Sequence, residues 1–136
     1  MKFTTITPNL ITNDVERSRA FYCDVLGFTV TMSVPPESEP KVFVMLERDG
    51  VNIFLNDFND AKATSPEVAD AAPSFVVGKS GVAIFIVMQE IAAFWEQVRH
   101  RARVVAPLKD QWYGMTEFTV TDPDGYLITF AERKTQ

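Results

Sequence analysis

Apolar residues recur at two different spacings along this chain, and the spacing predicts which segments are helices and which are strands. Two segments place apolar or small residues three or four positions apart, as on one face of a helix. They contain Val15, Ser18, Tyr22 and Val25 with Leu26 in the first, and Ile91, Phe94, Trp95 and Val98 in the second. Both segments therefore predict amphipathic helices that pack one face against a core.

The first predicted helix has recognisable start and stop signals. Asn13 is expected to cap it, because Glu16 stands three residues later and can bond back to the cap. Gly27 follows the last apolar position and can adopt the left-handed backbone that commonly ends a helix. The helix is therefore expected between Asn13 and Gly27.

Segments rich in β-branched and apolar residues predict eight strands. They cover residues 3–12, 28–32, 41–48, 51–56, 81–87, 103–106, 115–121 and 126–132. Tight turns are predicted at residues 49–50 (DG) and 122–125 (DPDG). Residues 35–40 and 107–114 are expected to be loops, and residues 57–80 a connector with at most one short helical turn.

The order strand-helix-strand-strand-strand occurs twice, on either side of the connector. The two helices match at Phe21-Tyr22 and Phe94-Trp95, and the last hairpins match at residues 49–55 and 124–130. This internal repeat predicts an α+β fold of two βαβββ modules, about 1–56 and 81–136, in a single domain spanning residues 1–136. Two such modules can join into a cup lined by the face of each sheet opposite its helix, which we call the open face.

Composition and charge narrow the possible functions. The chain has 136 residues, a net charge of −5, one His and one Cys. It lacks the basic patch of a nucleic-acid-binding protein and an apolar run long enough to cross a membrane, and we expect no signal peptide. A zinc site built from cysteines or several histidines and an internal disulfide are excluded by count. We expect a cytoplasmic protein that binds neither nucleic acid nor membrane.

Several local sequences resemble the vicinal oxygen chelate superfamily of glyoxalase I, bleomycin-resistance proteins and extradiol dioxygenases. The resemblance rests on residues 14–22 (DVERSRAFY), 24–28 (DVLGF) and 122–126 (DPDGY), with Tyr113-Gly114 and Glu117-Phe118. It implies the glyoxalase/bleomycin-resistance fold. The size, the acidic balance and the aromatic-Gly-x-x-Glu-Phe sequence resemble the bleomycin-resistance proteins most. That resemblance implies a metal-free homodimer that holds a cationic compound in clefts between its subunits.

The metal-dependent members of this superfamily use two His (or His and Gln) and two Glu ligands. The resemblance puts these ligand positions at Thr7, at Val82 or Ala83, at Phe54 and at Thr129. A divalent cation needs several nitrogen or oxygen donors in a fixed geometry, and these side chains supply too few. We therefore expect no metal and no other cofactor.

Alternation along the strands predicts which side chains line the open faces. The candidate ligand-binding residues are Thr7, Asn9, Asn52, Phe54, Trp112, Tyr113, Glu117 and Thr129. Trp112 and Tyr113 are expected at the rim, either stacked on a ligand or packed beneath their loop or in a dimer interface. Glu117 is either a solvated strand residue or a charge partner or general base for a ligand.

Three functions follow from these residues. The first is a metal-free protein that binds a small, cationic or amphipathic compound. The second is an enzyme of the same superfamily, which would be a metal-dependent lyase or dioxygenase, or a metal-free isomerase with Glu117 as its base. The third is a protein whose open faces serve mainly as an assembly surface between copies. A homodimer is expected because sheets of this size leave open edges and apolar faces that pairing would cover.

Overall fold

Each half of the chain forms one four-stranded mixed sheet with a helix packed on one face. The computed structural model describes residues 1–67, 77–78 and 81–135. The chain divides into two compact units, Met1–Val77 and Gly78–Gln136, and each unit holds one predicted module. The predicted α+β fold of two βαβββ modules is therefore confirmed.

The described residues of the first unit include four strands and two α-helices. Its elements are β1 (Asn9–Thr12), α1 (Val15–Ala20), a π-helical turn (Phe21–Val25), β2 (Thr29–Val34), β3 (Phe43–Arg48), β4 (Val51–Asp57) and α2 (Phe58–Thr64). The strand order is β1-β4-β3-β2. β1 runs parallel to β4, and the other pairs are antiparallel.

The second unit repeats this arrangement. Its elements are β5 (Ile84–Val87), α3 (Ile91–Val98), β6 (Arg103–Asp110), β7 (Met115–Thr121) and β8 (Leu127–Arg133). The strand order is β5-β8-β7-β6, with β5 parallel to β8 and the other pairs antiparallel. Among the described residues, no helix is both long and apolar enough to cross a membrane.

The cores lie between each helix and one face of its sheet. Each unit buries a set of large apolar side chains, and their removal from water stabilises the fold. In the first unit they include Tyr22, Leu26, Val44, Leu46, Ile53 and Leu55, and in the second Phe94, Val98, Phe118, Val120, Ile128 and Phe130. Phe94, Phe118 and Phe130 have ring centroids 5.0–6.1 Å apart, so an aromatic cluster fills the second core.

The start of α1 differs from the sequence prediction by one residue. Asp14, not Asn13, is the cap, because its Oδ1 accepts a hydrogen bond of 2.9 Å from the backbone N–H of Arg17. Glu16 does not return to the cap and instead pairs with Arg19. The end of the helix follows the prediction, since Gly27 has a φ of 77°.

Three strand and loop predictions need correction. β1 begins at Asn9, so residues 3–8 are not part of the strand predicted over residues 3–12. β6 continues through Pro107 to Asp110, because it is an edge strand and its irregular register leaves room for a residue without an N–H. The connector carries the seven-residue helix α2 rather than a single turn, and its residues 68–76 and 79–80 lie outside the described residues.

The carboxylate of Glu132 caps helix α3 from the neighbouring strand. Its two oxygens accept hydrogen bonds from the backbone N–H groups of Glu90, at 2.7 Å, and Ile91, at 3.2 Å. Glu90 itself has a φ of 62° and offers no side-chain cap. The helix therefore depends on β8 both for its hydrophobic contact and for the hydrogen bonds at its first turn.

We expect Glu132→Ala to destabilise the protein by about 1–2 kcal/mol, since it leaves two helix N–H groups unpaired. Urea denaturation measures this change in the free energy of unfolding. Glu96→Ala is the matched control, because Glu96 lies on the exposed side of α3 and, among the described residues, pairs with Arg99. We expect the control to change stability by less than about 0.5 kcal/mol, and equal effects of the two variants would contradict the capping role.

Candidate functional site

The open face of the first sheet combines amide and aromatic side chains. Asn9 and Phe54 are register partners across the parallel pair β1 and β4. Ile53 and Leu55 point to the helix and are buried, so Phe54 and Asn52 lie on the opposite face. Thr7 is half-buried and precedes β1 by two residues. The structure thus groups the four candidate residues of this unit around β1 and β4.

Two of these four side chains already have neighbours in the unit. The ring of Phe54 packs edge to face on Phe43, with centroids 5.3 Å apart. Asn52 donates a hydrogen bond of 3.2 Å from Nδ2 to the carbonyl of Gly50, so it supports the turn between β3 and β4. The contact with Phe43 therefore holds the ring of Phe54 in place. Asn52 already uses its amide N–H in the turn.

The open face of the second sheet contains a buried carboxylate. Glu117 lies on β7 between two strands, with Lys109 and Ala131 as its register partners, and only 7% of it is exposed. This differs from the solvated strand residue that was one of the two sequence-based interpretations. Among the described residues, Glu117 forms no ion pair.

Tyr113 supplies the hydrogen bond to this carboxylate. Its hydroxyl lies 2.8 Å from Oε1 of Glu117 and also contacts Oε2. The phenol donates the proton, so ionisation of Tyr113 would place two negative charges side by side. The hydrogen bond to Glu117, and to a lesser extent desolvation, therefore raises the pKa of Tyr113 above its ordinary value.

Thr129 and the loop residue Trp112 complete the candidates of the second unit. The hydroxyls of Thr129 and Thr119 are 2.7 Å apart across β7 and β8, on the same face as Glu117. Trp112 stands in the turn between β6 and β7 with 93% of its surface exposed, and it contacts the ring of Tyr113 edge to face. Trp112 and Tyr113 are both exposed, so neither ring is packed beneath the loop.

Sequence reasoning did not assign several residues of the open faces. In the first unit they are Phe43 and Met45 on β3, and in the second they are Phe85 and Val87 on β5. The same alternation of apolar and polar positions that placed Phe54 and Glu117 on the open faces could have placed these four residues there. Asn56, next to Phe43 across β3 and β4, has a buried Oδ1 with no hydrogen-bond partner in the described parts of the chain.

The side chains at the four superfamily ligand positions do not fit a divalent cation. The ladders pair Asn9 with Phe54 and Phe85 with Thr129, which makes Ala83 the counterpart of Thr7. Two of the four positions are therefore hydrocarbon, and the hydroxyl of Thr129 is already bonded to Thr119. Elsewhere in the described ranges, no three His, Cys, Asp or Glu residues converge on a point that could hold a metal ion.

Comparison with known proteins identifies relatives over nearly the whole chain. The family model "Glyoxalase/Bleomycin resistance protein/Dioxygenase superfamily" matches residues 3–130. A bleomycin resistance protein from Geobacillus stearothermophilus is 29% identical over 133 residues, which cover 93% of this chain and 94% of that protein. A bleomycin resistance protein from Staphylococcus aureus matches to the same extent.

Solved structures share the same fold at lower identity. TnmS3, an antibiotic binding protein from Streptomyces sp. CB03234, superimposes with a TM-score of 0.73 at 17% identity, covering 98% of this chain and 99% of TnmS3. A glyoxalase/bleomycin resistance protein/dioxygenase from Nocardioides has a TM-score of 0.73 at 21% identity, covering 98% of this chain and 85% of that one. These structural similarities support the fold alone, because sequence identities this low do not show a shared function.

We expect Glu117→Gln to lower the pKa of Tyr113 toward about 10, the value of an unperturbed phenol. The substitution removes the negative charge that opposes ionisation, and tyrosinate absorbance against pH measures the shift. Tyr113→Phe identifies the contribution of Tyr113 among the three tyrosines. An unchanged titration in Glu117→Gln would show that the two side chains do not interact in solution.

The same shift has a consequence for stability. The pKa of Tyr113 is higher in the folded protein than in the unfolded chain, so its hydrogen bond stabilises the fold fully below about pH 10. The contribution is then lost as the pH rises through the folded-state pKa. The difference in urea midpoint between the wild type and Tyr113→Phe should therefore shrink at high pH.

Proposed function

Because the chain belongs to the glyoxalase/bleomycin resistance protein/dioxygenase superfamily, we propose that it binds a small organic compound through the open face of its second sheet. The observation that carries this proposal is the buried carboxylate of Glu117, whose hydrogen-bond donor in the described parts of the chain is one phenol, that of Tyr113. A buried carboxylate is costly unless it is paired and hydrogen-bonded. One phenol proton satisfies only part of its acceptor capacity. The compound therefore brings a cationic or N–H-bearing group to Glu117.

The surroundings of Glu117 define the rest of the compound. Phe85 and Val87 on β5 and Leu127 on β8 expose apolar surface on the same sheet, with Phe85 54% and Val87 63% exposed. Trp112 and Tyr113 add aromatic rings that attract a planar or cationic group. An amphipathic cation has the chemistry that matches this combination of one negative charge with apolar and aromatic surface.

The first sheet offers a surface of different character. Thr7, Asn9, Asn52 and Phe54 provide hydroxyl, amide and aromatic groups, and no charged side chain is among them. Such a surface suits hydrogen bonding to a neutral part of a ligand. We propose these residues as additional contacts, with Phe54 as the apolar anchor and Asn9 as the amide with the most freedom to reorient.

The relatives support binding of an antibiotic-like compound. Two matching curated proteins are bleomycin resistance proteins, and a structural neighbour is named an antibiotic binding protein. The donor set supports a metal-free mode of binding, because Phe54 and Ala83 occupy ligand positions. We propose that two copies associate and sequester the compound without changing it.

A second candidate function rests on the same carboxylate. A buried glutamate that is hydrogen-bonded to a tyrosine can act as a general base if it reaches a proton on the bound compound. In that case the protein would be a metal-free isomerase with Glu117 as its base. Recovery of the bound compound unchanged after long incubation separates sequestration from catalysis.

We expect bleomycin to bind the wild-type protein with a Kd in the micromolar range or tighter, and Glu117→Gln to weaken binding at least about tenfold, or 1.4 kcal/mol. The loss follows from removal of the negative charge that faces the cation. Isothermal titration calorimetry measures both affinities. Glu96→Gln, an equal charge change on α3, is the control and should leave the affinity unchanged.

Two results would contradict this proposal. A wild-type Kd no better than about 1 mM would remove bleomycin-like cations as the ligand class. Equal weakening by Glu117→Gln and Glu96→Gln would show that only net charge matters, and that Glu117 is not the contact.

We expect protein purified without chelator to contain less than about 0.1 equivalent of Ni, Zn, Fe or Mn, because the four ligand positions lack a sufficient donor set. Elemental analysis by mass spectrometry measures this content. A stoichiometric amount of any of these metals, retained after dialysis, would overturn the metal-free proposal and favour a lyase or dioxygenase.

A further inference from the structure

The hydroxyl of Tyr113 occupies the same carboxylate to which a bound compound is proposed to donate. It lies 2.8 Å from Oε1 of Glu117 and also contacts Oε2. Only 7% of Glu117 is exposed, whereas 50% of Tyr113 is exposed. The phenol therefore stands between the carboxylate and solvent, and a compound that approaches Glu117 meets Tyr113 first.

The cationic side chains near Glu117 do not share its carboxylate. Lys109 is the register partner of Glu117 across β6 and β7, so both side chains lie on the open face. Lys109 is exposed, and among the described residues its ammonium forms no ion pair with Glu117. Lys134 pairs instead with Asp110, at 3.1 Å. Within the described ranges, the donor that holds Glu117 is therefore the hydroxyl of Tyr113.

The turn that carries Tyr113 is held by its own backbone. The N–H of Gln111 donates to the carbonyl of Met115 at 2.7 Å, and the N–H of Gly114 donates to the carbonyl of Gln111 at 3.2 Å. Neither hydrogen bond involves the side chain of Tyr113. The phenol can therefore leave Glu117 by rotation about its side-chain bonds, while the backbone of the turn stays in place.

The surroundings of the phenol leave room for this rotation. Half of Tyr113 is exposed, and its aromatic neighbour in the described part of the chain is Trp112, with ring centroids 5.4 Å apart. Trp112 is itself 93% exposed. Exposed side chains change rotamer within picoseconds to nanoseconds. The polar contact that keeps Tyr113 on the open face is thus its hydrogen bond to Glu117.

We propose that Tyr113 is a specificity-determining residue, because its hydroxyl competes with the bound compound for Glu117. The inference rests on the proposed function, since it names the class of compound that this site accepts. A neutral amide N–H replaces one neutral donor by another, so the exchange brings no net gain. Only a compound that donates to the carboxylate more strongly than a phenol gains affinity from displacing Tyr113.

A planar cation with two parallel N–H groups meets this requirement. Amidinium and guanidinium groups form two charge-assisted hydrogen bonds with a carboxylate, one to each oxygen. The phenol contacts both oxygens of Glu117, so both lose a donor when it leaves. A cation beside a buried carboxylate is also screened less than one in water. The site therefore favours amidinium-like or guanidinium-like groups over neutral amides.

The first test compares benzamidinium with benzamide, which are similar in shape and differ in charge. Chemical-shift titration of the nitrogen-15-labelled protein measures both affinities from the amide signals of β7. We expect the wild type to bind benzamidinium at least about tenfold more tightly than benzamide, or 1.4 kcal/mol. Glu117→Gln should remove this preference, since no carboxylate remains to receive the charge.

The second test removes the competing hydroxyl. We expect Tyr113→Phe to tighten the binding of both probes at least about fivefold, because the variant keeps the ring but cannot donate to Glu117. In the Glu117→Gln background the same substitution should leave both affinities within about twofold, as a double-mutant cycle requires of coupled residues. Tyr126→Phe removes a hydroxyl elsewhere in the second unit and is the control, with unchanged affinities expected.

The neighbouring lysine needs its own variant. Once the hydroxyl of Tyr113 is gone, the ammonium of Lys109 can pair with Glu117 and mask the gain in affinity. Both titrations are therefore repeated with Lys109→Gln in the wild-type and the Tyr113→Phe backgrounds. We expect the gain from Tyr113→Phe to be at least as large when Lys109 is replaced.

Two results would overturn the proposal. Weaker binding of benzamidinium to Tyr113→Phe would show that the hydroxyl contacts the compound and does not compete with it. Unchanged affinities in Tyr113→Phe, with Lys109→Gln also present, would show that the hydroxyl does not hold Glu117 in solution. In both cases a preference for benzamidinium that depends on Glu117 would leave the proposed function standing.

The proposed function fails with a different pattern. Benzamidinium would then bind no more tightly than benzamide in the wild type and in Tyr113→Phe, and Glu117→Gln would change neither affinity. That result would overturn the selectivity for cations as well.

Discussion

The structure depends on one constraint, which is that helix packing buries only one face of each four-stranded sheet. The strands therefore alternate between side chains that contact the helix and side chains that do not. Leu46, Ile53 and Leu55 bury the helix side of the first sheet, and Phe118 and Val120 bury that of the second. Every residue between them on the same strands is left on an open face. The folding requirement of each core thus creates a surface that is free to hold a ligand.

The two open faces use this freedom differently. The first carries amides and the Phe43–Phe54 pair, whereas the second carries the buried carboxylate of Glu117 beneath the hydroxyl of Tyr113. A buried carboxylate at this position costs free energy unless it is paired and hydrogen-bonded.

Most of the fold was predictable from local signals. The spacing of Ile91, Phe94 and Val98 located helix α3, and the alternation along β7 predicted its bounds at Met115 and Thr121 without error. The sequence predictions were wrong where the local sequence is compatible with more than one structure. Asp14 capped α1 in place of Asn13, and α2 formed in a segment without sustained periodicity. β6 continued through Pro107 because an edge strand tolerates a residue that cannot donate a hydrogen bond.

The sequence by itself determined the repeat and the faces of the strands, since each depends on residue type at fixed spacing. Only the tertiary structure decided that Glu117 is buried and bonded to Tyr113, that Glu132 caps α3, and that residues 3–7 stay outside the sheet. Burial and hydrogen-bond partners depend on residues that are distant in the chain or on another strand. No local pattern encodes which of several possible neighbours a side chain finally contacts.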